Sequence, residues 1–103
     1  MIVYNVTVKI EHDIHDHWLE WMQEVHIPEV MATRCFKKWS LNKLLGTDEE
    51  EGITYAVQYH CPSFEKLQFY QANFATALQA DYKKQFQGKY VVFRSLLELI
   101  AEG

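Results

Sequence analysis

Residues 53–61 read ITYAVQYHC, with Ile53, Tyr55, Val57 and Tyr59 alternating against Thr54, Ala56, Gln58 and His60. Residues 2–10 do the same, setting Ile2, Tyr4, Val6, Val8 and Ile10 against Val3, Asn5, Thr7 and Lys9. Side chains that change face at every residue suit a strand with one buried face and no helix. Such strands cannot stand alone: they need sheet neighbours and a layer that covers the apolar side.

The intervening segments supply both. Ile14, Trp18, Trp21, Met22 and Val25 follow at spacings of three and four, forming one stripe of a helix. Asp13 is placed to cap it, and Asp16 lies in the first turn, where the helix dipole favours negative charge. Pro28 is expected to end or kink this helix, with one short turn over residues 27–33. A second strand is expected over residues 35–45, although FKKWSLNKLL alone would also suit a helix. Gly46 and the acidic TDEEEG stretch then make the turn. Ser63 is a good N-cap for a second helix carrying Leu67, Tyr70, Phe74, Leu78 and Tyr82, and Gly88 stops it after about residue 87. KYVVFRSLLELI closes the chain as a strand or a strand with a helical end. Strand, helix, strand, strand, helix, strand is the α+β, ferredoxin-like order: a four-stranded antiparallel sheet with both helices on one face.

A lone sheet of this kind should be polar on its uncovered face. Here the last strand is apolar on both parities, Val91, Phe93, Leu97 and Leu99 against Val92, Leu96 and Ile100. The simplest cover is the same sheet of a second copy, so a homodimeric α/β barrel is expected, stabilised at about 25 cal/mol per Å² of apolar area covered.

Length and composition narrow the rest. The 103 residues, 49% of them hydrophobic, make one domain, residues 1–103, with an ample core. A net charge of -4 and scattered basic residues argue against nucleic acid. No apolar run approaches the roughly 18 to 20 residues that cross a bilayer, and the N-terminal segment reads as a strand rather than a signal. Two cysteines are too few for a disulfide framework, so a reducing cytoplasm is expected.

The stretch HDIHDHWLEWMQEVH crowds four of the five histidines together. His15 and His26 nonetheless stand about 16 Å apart along a helix, so one ion cannot reach both. His17 is expected toward Glu20 and Glu24 on the solvent side. The topology brings His26, Cys35, His60 and Cys61 toward one rim, zinc ligands by type. Their spacing matches no compact finger, however, and His60 and Cys61 point to opposite faces. No metal is expected.

MIVYNVTVKI, WLEWMQEVHIPEVMAT, GITYAVQYHC and ALQADY…GKYVVFRSLLE resemble, across the whole chain, a family of bacterial proteins of about a hundred residues that carry a domain of unknown function. That family belongs to the dimeric α/β-barrel, ferredoxin-like superfamily. The family pattern often has His at Phe74, Pro at Thr76 and Gly at Arg34. Superfamily members include cofactor-free monooxygenases, haem-degrading enzymes and isomerases, and fold alone does not choose among them. The axial histidine of haem-degrading members lies on the second helix, and this chain has none there, so no cofactor is expected.

The resemblance implies a small-molecule site in the cleft between helices and sheet. Tyr4, Trp18, Met22, Tyr55, Tyr59, Tyr70 and Phe74 are candidate walls for a planar organic ligand. His26 is the candidate acid or base, with Glu29 one turn on to orient it. Asn5, beside Tyr4, is the polar group that a cofactor-independent oxygenase-like or isomerase-like reaction would use. The contrasting expectation is a non-catalytic dimeric interaction module. No Gly-rich phosphate loop, nucleophile elbow or acid pair points to a standard enzyme class.

Overall fold

The computed structural model describes all 103 residues. Strands β1 (Ile2–Ile10), β2 (Lys38–Lys43), β3 (Ile53–Cys61) and β4 (Tyr90–Glu98) form one antiparallel sheet in the order β2-β3-β1-β4. Helices α1 (residues 15–32) and α2 (residues 64–86) cover one face. The ferredoxin-like α+β arrangement expected from the alternating and helical patterns is the one found.

Strand pairing places Tyr4, Val8, Ile10, Tyr55, Val57, Tyr59 and Cys61 under the helices, all in one buried cluster. Val3, Asn5, Thr7 and Lys9 face the other way. β4 stays extended to Glu98, and the Leu99 amide donates to the Met1 carbonyl at 3.0 Å, so no helical end forms. β2 is shorter than residues 35–45, although Lys37 and Leu44 amides still donate to His60 and Thr54 carbonyls at 2.8 and 2.9 Å. Cys35 and Phe36 are instead drawn into the core. The chain turns there through Arg34, whose φ of 63° is the left-handed conformation that glycine adopts at least cost.

Both helices contain a π turn, Met22–His26 in α1 and Gln71–Ala75 in α2. Each turn admits one extra residue and so shifts the buried stripe by one position. In α1 the core residues run Trp18, Met22, Ile27 and Val30, and Val25 is left exposed. In α2 Ala75 rather than Phe74 is buried. The α1 π turn also explains why Pro28 does not end the helix, which continues to Ala32. The Ile27 amide bonds to the Met22 carbonyl, and the widened turn relieves the crowding a proline ring otherwise meets in the preceding turn.

Capping follows the expectation only in α2, where the Ser63 hydroxyl accepts from the Lys66 amide at 3.1 Å. Asp13 does not cap α1; it lies in the 3-10 turn His12–Ile14 and pairs with Lys89. Gln87 and Gly88, at φ 40° and 80°, terminate α2.

Candidate functional site

The two π turns bracket a cavity between the helices and the sheet. Its floor is Val6, Val8 and Val57, its roof Met22, Val30, Leu78 and Tyr82, and Val92 closes one side. Tyr4, Tyr59, Tyr70, His26, Gln79 and Arg94 supply the polar atoms. Gln79 and Arg94 are exposed and lie beside the Tyr4 hydroxyl, so the mouth opens between α2 and the edge strand β4. The cavity volume is about 30 Å³. That is room for one or two waters.

His26 is the chemical centre of this space. Its ring stacks on Trp21 at 5.1 Å and meets the edge of Tyr82 at 5.3 Å. Its Nδ1 is buried without a hydrogen-bond partner. Burial, helped by the positive Arg94 and opposed by Asp81, pushes its pKa down to about 4, so the ring is neutral at pH 7. Burial also raises the Tyr4, Tyr59, Tyr70 and Tyr82 hydroxyls, leaving them protonated. Arg94 is thus the charged group of the wall. It enters no ion pair: those in the molecule join Lys9 to Glu51, Lys43 to Glu49 and Lys89 to Asp13.

The residues read from sequence divide into two groups. Tyr4, Met22, His26, Tyr59 and Tyr70 meet in the cavity. Trp18, Tyr55, Phe74, Glu29 and Asn5 do not. Trp18 is fully buried, 4.9 Å from the Tyr55 ring, with its indole N–H donating to the Tyr82 hydroxyl. Tyr55 hydrogen-bonds to His15 Nε2 at 2.6 Å. Phe74 is half-buried at the edge of the core, its ring 6.4 Å from Tyr70 and 6.1 Å from Phe69, and does not line the cavity. Glu29 is exposed and no hydrogen bond or ion pair ties it to His26. Asn5 projects from the opposite face of the sheet, donating to the Thr7 hydroxyl at 3.0 Å and accepting from Gln58 at 3.2 Å.

Gln79, Arg94 and Tyr82 were not among the residues singled out by sequence. Tyr82 lay on the expected stripe, but Gln79 faces the sheet only because the π turn rotates the second half of α2. Arg94 needs the register that sets it opposite Val6.

His12, His15, His17 and the cysteines have ordinary partners, whereas His60 Nδ1 is buried without one. His12 Nε2 meets the Glu49 carbonyl at 2.6 Å. His17 faces α2 rather than Glu20 and Glu24, reaching Gln85 at 2.7 Å with its ring 5.5 Å from Phe86. Cys35 and Cys61 are buried free thiols, and Cys61 Sγ donates to the Cys35 carbonyl at 3.3 Å. β2 pairs Lys38 with His60. His60 lies on the open face and His26 in the cavity, so the rim grouping does not converge. No three His, Cys, Asp or Glu side chains come together closely enough to hold a metal ion. No helix is long and apolar enough to cross a membrane.

Comparison with solved structures supports the fold. A dimeric ferredoxin-like protein from an uncultured marine organism superimposes with a TM-score of 0.72 at 11% identity, covering 100% of this chain and 98% of that one. A second such protein, also from an uncultured marine organism, gives 0.66 at 12% identity, covering 99% and 97%. An EthD-like protein from Ralstonia eutropha gives 0.68 at 15% identity, covering 98% and 95%. No curated protein matches the chain. The model of one family, the domain of unknown function DUF4286, matches residues 1–100, and the chain belongs to that family.

Proposed function

We propose that the cavity binds a small planar organic molecule, and that the chain works as a homodimer joined through its open sheet face. The observation that carries the binding reading is the unpartnered Nδ1 of His26, buried in the wall of a cavity with its own mouth. Buried polar atoms almost always have a partner, and a ligand that opened the wall around His26 would supply one. The closed volume of about 30 Å³ is well short of the roughly 150 Å³ that encloses benzene. A ring therefore enters only as Met22, Gln79 and Arg94 swing aside. All three are unbranched at Cβ and can change rotamer without moving the backbone.

The same electrostatics favour binding over the oxygenase-like and isomerase-like readings. With a pKa of about 4, His26 at pH 7 is a hydrogen-bonding group and a poor base. Placing a proton on it there costs about 4 kcal/mol. Benzoate, phenol and benzamide are suitable probes, followed by fluorescence of Trp21 and Trp18, which touch cavity residues. Saturable binding of at least one probe, abolished by the cavity-filling Val92→Phe, is the expected result. Absence of binding by every probe at millimolar concentration would overturn this reading.

For the dimer, the support is the open face itself. Val91, Phe93 and Leu97 are 70%, 61% and 45% exposed along β4. Ser40, Gln58, Asn5 and Ser95 run beside them as one polar row across all four strands. Covering the apolar strip favours a second copy, and polar rows facing one another would fix how the sheets meet. The dimeric solved relatives are consistent with this. Light scattering should report about twice 12.2 kDa, and Phe93→Glu should return the single-chain mass. A wild-type mass of one chain at tens of micromolar would overturn it. The two buried free thiols suit a reducing compartment, and we place the protein in the cytoplasm.

A further inference from the structure

Arg94 stands at the cavity mouth with no carboxylate partner, surrounded by groups that carry no charge of their own. A guanidinium offers five N–H donors in a planar fork that matches a carboxylate. Arg94 is exposed, so its guanidinium is hydrated and free to take up an acid from solution. The ion pairs of this molecule all use other residues. Asp81 acts on His26 but does not line the cavity.

The surroundings of Arg94 are shaped for the rest of an acid. Arg94 and Gln79 each stand beside the Tyr4 hydroxyl at the mouth, so an acid bound there meets donors from all three. Behind them the wall is Val6, Val57, Val92 and Leu78, which offers an apolar body nothing to hydrogen-bond. We propose that Arg94 is the specificity-determining residue of the cavity and selects an organic monoanion, a carboxylate on a small planar apolar body. The anion rests at the mouth between Arg94, Gln79 and Tyr4, and the body points inward toward His26. A cation is repelled, a neutral amide of the same shape loses the charge-assisted pair, and a dianion carries a second charge into the valine floor.

This rests on the cavity being a ligand site, so the test separates the two. Benzoate, benzamide and benzylamine are titrated against wild type, Arg94→Met and Arg94→Lys, after thermal melts confirm that both variants fold. Arg94 is exposed on an edge strand, so folding should survive. Wild type should bind benzoate at least tenfold tighter than benzamide and should not bind benzylamine. Arg94→Met should lose about tenfold for benzoate and nothing for benzamide; Arg94→Lys should retain part of the preference, since a point charge replaces the fork. Raising salt should weaken benzoate alone. Equal affinity for benzoate and benzamide in wild type, or a preference that survives Arg94→Met, would overturn the inference and leave the binding site standing. Failure of benzoate and benzamide, with phenol failing as well, would overturn both.

Discussion

His26 makes stability depend on pH in a direction opposite to that of a histidine with a carboxylate partner. The folded chain keeps its imidazole neutral, with a pKa near 4, whereas an unfolded chain titrates near 6.5. Between those values the unfolded state holds the extra proton. Stability is therefore fully present above pH 6.5 and is lost as the pH falls toward 4. The two pKa values set the loss at about 3 kcal/mol between pH 7 and pH 4. Carboxylates also titrate as the pH falls, so the comparison must be with a variant that shares them. His26→Gln keeps a polar group and removes the titration. Urea unfolding at fixed chain concentration, followed by circular dichroism at pH 7, 6, 5 and 4, measures both proteins. Wild type should lose about 3 kcal/mol more than His26→Gln across the range. Parallel curves would refute the claim that burial, rather than an ion pair, governs this ring.

Three further outcomes follow from local structure. Arg34→Gly relieves a left-handed residue, a gain of about 1 kcal/mol that the greater freedom of glycine in the unfolded chain partly offsets. A small rise in melting temperature is expected, and a fall would contradict the φ of 63°. Ser63→Ala removes the hydroxyl that accepts from Lys66 and should cost about 1 kcal/mol in urea unfolding, whereas Asp13→Ala should not report a lost cap. Tyr82→Phe leaves the Trp18 indole N–H without its acceptor in the core, at a cost of about 1 to 3 kcal/mol, with a shift in Trp18 fluorescence as the local signature.

The strand faces were legible because alternation is strict: Tyr4, Val8, Tyr55 and Tyr59 could lie nowhere but under the helices. The uncovered grease of β4 was legible for the same reason. What the sequence concealed were the π turns, since a pattern read at 3.6 residues per turn has no place for one extra residue. One such insertion in each helix leaves Val25 exposed in α1 and, in α2, buries Ala75 in place of Phe74 and sets Gln79 at the cavity mouth. Trp18 and Tyr55 fell on the correct stripe, but each spends its ring on the other. Asn5 neighbours Tyr4 in the chain and is separated from it by the thickness of the sheet, which alternation already implied. Arg94 looked like one polar residue in an apolar strand. Its meaning depends on a strand pairing that no local pattern reveals.

The central claim, that the cavity around His26 receives a ligand, is tested most directly by nitrogen NMR of protein labelled at its histidines during titration with benzoate. Two histidines, His26 and His60, have a buried Nδ1 without a partner, one in the cavity and one on the open face of the sheet. A saturable shift of the His26 nitrogens, with those of His60 unmoved, is the predicted result. An unmoved His26, or all five histidines drifting together, would contradict it.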